Sequence, residues 1–158
     1  ITFGGSDTYS MTNKILKKLN DTKYDIGVYY GPGYRKKIKF KMKKNINHIL
    51  NTNNLENEMI KYDLLICGGG ITPINAASQG LPSLIVACER HEIRTANLLM
   101  KFGTSQYLGF RKLKKKNLKL NKINLKKMSE NCLKNFENNG ANNFVKFIKK
   151  KYNDQRKI

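Results

Sequence analysis

The chain has 158 residues, a mass of 18.2 kDa, a formal charge of +20 and an isoelectric point near 10.0. That length suits one domain with a real core rather than two, and no apolar run approaches the length that would span a membrane. Three scattered cysteines, Cys67, Cys88 and Cys132, exclude a disulfide framework and a zinc site, and they fit a reducing cytoplasm. The first residues, "ITFGGSD", read as a strand and a turn rather than a secretory leader. With no initiator Met and an opening inside a strand, the chain reads as the C-terminal part of a longer protein. Its charge favours nucleic acid or an anionic membrane surface. Lysines occur nearly everywhere instead of in one block, however, so the plainer reading is solvated faces in a Lys- and Asn-rich chain.

Residues 1–3 read as the end of a strand and 4–7 as a turn. Residues 8–19 carry Met11, Ile15, Leu16 and Leu19 at helical spacing, with Ser6 or Asp7 available as a cap. A strand over 25–30, "DIGVYY", is broken by Gly31-Pro32-Gly33. Residues 34–44 are mixed and basic, a short-helix candidate, and 46–50 a short strand. A short helix over 55–61 places Met59 and Ile60 inward. Residues 64–67 are continuously apolar, as a strand buried on both faces is. After three glycines come a helix over 72–79, a strand over 83–88, a helix over 92–102 and a short strand over 106–108. From Lys112 onward, in a basic helical region over 112–158, the composition turns to Lys, Asn and Leu, with helices over 125–136 and 142–152. This alternation predicts one domain over 1–158, an α/β fold with a Rossmann-like, doubly wound parallel sheet and added C-terminal helices.

In an open parallel sheet, ligands bind beyond the carboxyl ends of the strands. Three glycine-containing loops fall at such ends: 4–7, 31–33 and 68–72. Glycine lets the main chain approach a ligand closely, and the helix after Thr72 points free amides and its positive end at the gap, where a diphosphate is a natural occupant. The pattern is neither Walker A, since Ile71-Thr72-Pro73 follows where Lys and Ser/Thr belong, nor the dinucleotide fingerprint. On the residues alone, tight turns explain the glycines as well.

The order of the pieces adds a family. "ICGGGITPINAASQGLPSLIV" resembles the nucleotide-binding signature in the C-terminal domain of GT-B glycosyltransferases: a strand, a small-residue loop, Thr, a helix carrying a Glu, then Gly-x-Pro before the next strand. It is similar to the lipid-II-forming N-acetylglucosaminyltransferases of peptidoglycan synthesis. It is also similar to the UDP-sugar hydrolases of pseudaminic acid synthesis with their spore-coat-polysaccharide relatives. "ITFGGSD", "VYYGPGY", "LENEMIKYDLLICGGG" and "ANLLMKFGTSQYLG" resemble other segments in the same order, so the likeness covers 1–109. It implies a nucleotide sugar, UDP-linked, as ligand, with no metal and no further cofactor. It implies that Gly5 and Ser6 lie by the diphosphate or the domain cleft, that Gly31, Pro32 and Gly33 flank the base, and that Gly69, Gly70, Ile71 and Thr72 cradle the diphosphate. Asn75 stands where the family has the ribose-holding Glu. The Gln that the family carries after the next strand, on the sugar, has no counterpart in "ERHEIRTAN". In the hydrolases the catalytic His belongs to an N-terminal domain, so the resemblance leaves the catalytic residues of this chain unassigned, makes that missing domain a partner and makes this chain inactive by itself.

Other residues have two readings each. His91 is a base or a solvated loop residue, and His48 is structural. Arg90 and Arg94 meet a phosphate or are surface charges. Glu89 and Glu92 do acid–base work or cap a helix. Asp7 faces the cleft or caps the first helix, and Cys67 is a small buried hydrophobe. The first functional reading is therefore a nucleotide-sugar domain of a surface-polysaccharide or nonulosonic acid enzyme, with the hydrolase form preferred over a transferase acting on a lipid-linked or polysaccharide acceptor. The second is a basic module for nucleic acid or membrane surfaces, carried by "YRKKIKFKMKK" and "RKLKKKNLKLNKINLKK". Neither stretch offers a stacking platform, so no specific nucleic acid is expected, and a weak anionic membrane contact is.

Overall fold

A computed structural model describes residues 1–35, 45–50, 52, 54–113, 118, 120–137 and 139–155. Five parallel strands are β1 (Ile26–Tyr30), β2 (Ile46–Leu50), β3 (Leu65–Cys67), β4 (Ser83–Ala87) and β5 (Ser105–Phe110). The helices are α1 (Met11–Leu19), α2 (Leu55–Met59), α3 (Thr72–Ser78), α4 (Glu92–Lys101), α5 (Leu125–Asn135) and α6 (Gly140–Gln155). β1 pairs with β2, and β4 lies between β3 and β5. Residues 1–3 join the two groups: Thr2 bridges Tyr29 on one side and Cys67 on the other, both in parallel. The Ile1 nitrogen donates to the Gly27 carbonyl at 2.7 Å, and the Thr2 amide to the Ile66 carbonyl at 3.0 Å. With residues 1–3 counted as the first strand, the order is 3-2-1-4-5-6, that of a doubly wound nucleotide-binding sheet. The chain turns from one flank to the other beside residues 1–3, so the switch point lies between that strand and β3.

Alternation along the central strands divides the core between two faces. Ile66, Leu84 and Val86 join Phe3, Met11, Ile15, Leu16 and Val28 beneath α1. Leu65, Cys67 and Ile85 turn the other way and meet Met59, Ala76, Ala96 and Leu99 from α2, α3 and α4. Helices on both faces explain why β4 is buried at all five positions, SLIVA, and reads as an unbroken apolar run. At about 25 cal/mol per Å² of apolar area removed from water, this two-sided burial dominates the stability.

Boundaries move where caps and bulges intervene. The helix expected from 8 starts at Met11, because Asp7 (φ 44) and Ser10 (φ 54) are left-handed and interrupt the first turn. Ile60, expected inward, is instead 55 % exposed; α2 ends at Met59, and Ile60 is its C-cap, rotated off the buried side. The strand expected over 106–108 runs Ser105–Phe110, and the last helix runs Gly140–Gln155. The helix candidate over 34–44 falls almost wholly outside the described residues. No helix among the described residues is long and apolar enough to cross a membrane.

Candidate functional site

The carboxyl ends of residues 1–3, β1 and β3 bring the three glycine loops to one edge of the sheet. Two of them touch. The Gly33 amide donates to the Gly5 carbonyl at 2.8 Å. A Cβ on Gly31 would stand 2.4 Å from Gly5 Cα and 2.5 Å from the Gly4 carbonyl. Gly31 is thus required by loop-on-loop packing. Gly4 and Gly5 differ: nothing lies within 4 Å of where a Cβ would stand at either. Both are exposed, as are Ser6, Pro32, Gly33, Gly70 and Ile71. This is backbone bared to an open crevice at the switch point, where a ligand can approach it.

The third loop is built against α4. A Cβ on Gly69 would stand 2.7 Å from the Glu92 carbonyl, so Gly69 admits the start of α4. Glu92 reaches back, and its Oε2 accepts from the Cys88 amide at 2.6 Å and the Glu89 amide at 3.3 Å. Glu92 thus holds two amides of the loop before α4 and does not cap that helix, whose N-cap residue, His91, makes no side-chain capping bond. α3 then starts at Thr72 with Pro73 in its first turn, where the missing N–H costs nothing. Thr72 is half-buried and Pro73 buried, which seats the helix beneath the loop.

Asp7 also proves to be a cap. Its two carboxylate oxygens accept from the Met11 amide at 2.7 Å and the Thr12 amide at 3.0 Å, and the residue is buried. The positive end of α1 is therefore already occupied by a carboxylate. Asn75 on α3 donates from Nδ2 to Glu56 Oε1 of α2 at 2.7 Å, which sets a carboxylate directly beside the amide. His48 lies on β2, with Nδ1 2.7 Å from the Tyr30 hydroxyl and the two rings stacked, a structural placement. His91, Arg90 and Arg94 are exposed around the start of α4.

Sequence reasoning missed Tyr9 and Arg111. The register of β5 against β4 shifts between Ile85 and Val86, so that Val86 pairs with Gly109 and Leu108 is the extra residue. The bulge, with Gly109 at φ 127 and Arg111 at φ 53, swings the Arg111 side chain over the carboxyl edge. There its Nε donates to the Cys88 carbonyl at 2.8 Å, and Nη2 lies 3.0 Å from Glu89 Oε2. The guanidinium carbon sits 4.0 Å from the centre of the Tyr9 ring, whose hydroxyl donates to Glu89 Oε1 at 3.1 Å. The one available signal was the Gly109–Arg111 spacing at a strand end, which predicts a bulge only once the pairing is known. Arg111 also borders an open groove of about 750 Å³ with Lys14, Lys17, Lys18 and Lys112, a basic approach beside the edge.

Two thiols lie near the edge, Cys67 buried and Cys88 half-buried, and the surroundings of both disfavour the thiolate. Burial pushes the Cys67 thiol far up, and burial followed by the charge of Glu92 pushes Cys88 up to about 12. Among the described residues no group of three or more His, Cys, Asp or Glu converges as a metal site.

No protein-family profile matches the chain, and no curated protein does. Among solved structures, the chain is similar to the crystal structure of MurG from Acinetobacter baumannii. The TM-score is 0.75 at 14 % identity, over 94 % of this chain and 48 % of that one. The chain thus spans about half the length of that structure, and it has the Rossmann-like fold of the C-terminal half of a GT-B glycosyltransferase.

Proposed function

We propose that this chain is the nucleotide-sugar-binding half of a GT-B-like enzyme, with a UDP-linked sugar as ligand. The observation that carries the reading is the bared backbone at the switch point: Gly4 and Gly5 open to solvent beside Gly70 and Ile71, at the carboxyl ends of the two middle strands. In this reading Gly5 and Ser6 face the diphosphate from one wall. Gly69, Gly70, Ile71 and Thr72 cradle it from the other, and Gly31, Pro32 and Gly33 flank the base. Asn75, paired with Glu56, meets the ribose hydroxyls, so the carboxylate absent from position 75 is supplied by α2. Asp7 and Glu92 keep neighbouring amides occupied, which leaves the 69–72 loop as the place for an anion.

The chemistry would be departure of UDP from the anomeric carbon. Water attacks in a hydrolase and an acceptor hydroxyl in a transferase, while loop amides stabilise the charge that develops on the diphosphate. The hydrolase form is preferred on the likeness of "ITFGGSD" and of the compact segment before "YDLLICGGG" to that branch. The attacking group and its base would come from a second domain, so this chain binds but does not turn over. Calorimetric titration with UDP, CMP, GDP and a short DNA duplex at about 150 mM salt tests this, because exposed charges are largely screened there. UDP binding that is lost on Thr72→Ala is the expected result. Tight, salt-sensitive DNA binding with no nucleotide binding would overturn it.

A further inference from the structure

Arginine is scarce in this chain, and its placement is selective. Of the 31 basic residues only five are arginine, namely Arg35, Arg90, Arg94, Arg111 and Arg156, and the other 26 are lysines spread mainly over α1, α5, α6 and the two basic stretches. The four arginines among the described residues all stand at the carboxyl edge of the sheet. Arg35 follows the loop that closes β1, Arg90 and Arg94 follow β4, and Arg111 follows β5. A lysine is a strongly hydrated point charge, whereas the planar guanidinium fork matches an oxyanion with two parallel hydrogen bonds. Arginine reserved for the ligand edge of a lysine-rich chain is therefore a mark of oxyanion recognition. Three of the four gather past β4 and β5. Arg111 is already engaged, with Nη2 3.0 Å from Glu89 Oε2 and Nε on the Cys88 carbonyl. The side chains of Arg90 and Arg94 have no hydrogen-bond or ion-pair partner among the described residues. They stand four residues apart in one continuous turn, where the Ile93 amide donates to the Arg90 carbonyl and the Arg94 amide to the His91 carbonyl. At that spacing two like charges share a face and repel. The dipole of α4 opposes them too, because cations are disfavoured at the amino end of a helix. Nothing among the described residues offsets these costs, and an anion from outside does.

We infer that the sugar of the nucleotide-linked ligand carries a carboxylate, and that Arg90 and Arg94 read it. The inference rests on the nucleotide-sugar reading above and deepens it. Strand order sets the place. With the base at the loop after β1 and the diphosphate between residues 4–7 and 69–72, the ligand continues toward the ends of β4 and β5. Charge selects the group. Among residues 88–94 together with Arg111, three arginines against Glu89 and Glu92 leave one positive charge over, which a carboxylate balances and a dianionic phosphate exceeds. The two glutamates do not consume the free arginines, because each is held elsewhere: Glu89 by Arg111 and by the Tyr9 hydroxyl, Glu92 by the Cys88 and Glu89 amides. Arg111 is thus a positioning residue, which keeps Glu89 away from the pair that faces the ligand.

Calorimetric titration of the 158-residue chain with UDP-glucuronate, UDP-glucose and UDP tests it at about 150 mM salt, where exposed charges are largely screened. The two sugars differ only in a carboxylate that stands in place of a hydroxymethyl group. UDP-glucuronate should bind about tenfold more tightly than UDP-glucose. The double variant Arg90→Gln, Arg94→Gln should bring UDP-glucuronate down to the affinity of UDP-glucose. The double variant Lys101→Gln, Lys134→Gln removes the same charge from the last turns of α4 and α5 and should keep the preference. Equal binding of the two sugars by the unaltered chain would overturn the inference and leave the nucleotide reading standing. So would a preference that both double variants lose alike, which would reduce it to bulk charge. A fall in UDP affinity as large as the fall for UDP-glucuronate in the arginine variant would assign the arginines to the diphosphate and overturn it as well. Absence of binding by all three nucleotides would overturn both readings together.

Discussion

The two edges of the sheet are built from different materials. At the carboxyl edge the loops are glycine-rich, their backbone is exposed, and each nearby carboxylate already has a partner: Asp7 on the α1 amides, Glu92 on Cys88 and Glu89, and Glu89 on Arg111 and Tyr9. At the amino edge lies a cavity of about 520 Å³, lined by Leu19, Ile26, Met59 and Leu81 and by the polar Asp25, Asp63, Lys126 and Ser129. That cavity is the better-shaped hollow, yet it opens at the amino ends of the strands, and its carboxylates Asp25 and Asp63 repel a diphosphate even though Lys126 and three tyrosines also line it. The crevice is shallower, but the chain direction of a parallel sheet and its bared amides favour an anion. Enclosure and chemistry point to opposite edges, and for a phosphorylated ligand chemistry decides.

The largest expected effect separates packing glycines from ligand glycines within the carboxyl edge. Gly31→Ala drives a Cβ into the Gly4–Gly5 backbone, so urea unfolding should show a loss of about 3 kcal/mol or more, with nucleotide affinity lost too. Gly5→Ala meets nothing within 4 Å and should leave stability within about 0.5 kcal/mol. It should still cut UDP affinity about tenfold, because the added methyl stands where the ligand approaches. If both variants lose stability alike, the crevice is a packed turn and not a site. Asp7→Ala removes the acceptor of two buried amides and should cost about 1–2 kcal/mol in the same unfolding assay.

Smaller effects sharpen the contrast. Glu56→Ala should reduce the preference for UDP over 2′-deoxy-UDP by about 1 kcal/mol in competition titrations, since Glu56 lies against Asn75. At the other edge, Asp63→Asn lines the amino-end cavity and should leave UDP affinity unchanged within about 0.3 kcal/mol. A gain or loss of affinity there would move the ligand to the wrong side of the sheet.

Much of this was legible from composition and period. The run over 64–67 reads as a buried strand because parallel strands covered on both faces lose their alternation, and Leu65–Cys67 of it form one; the strand expected over 83–88 runs Ser83–Ala87 and is likewise buried throughout. The helix of Met11, Ile15, Leu16 and Leu19 was legible from spacing, but its start was not, since two left-handed non-glycine residues cannot be read from side-chain type. Ile60 failed because apolar character does not reveal where a five-residue helix ends. The glycines were legible as a group but not in their separate duties. Only the coordinates distinguish Gly31 and Gly69, which admit backbone, from Gly4 and Gly5, which admit nothing of the protein. Arg111 was illegible because its position depends on a one-residue slip in pairing between strands about 20 residues apart in sequence.

Backbone amide spectra of the labelled chain, recorded while UDP is added, test the central claim most directly. The account predicts that shifts concentrate on Gly5, Ser6 and residues 69–72, with Asp25, Asp63 and Leu81 unmoved. Shifts that concentrate on Gly27, Tyr62 and Leu81 instead would place the ligand in the amino-edge cavity and contradict it.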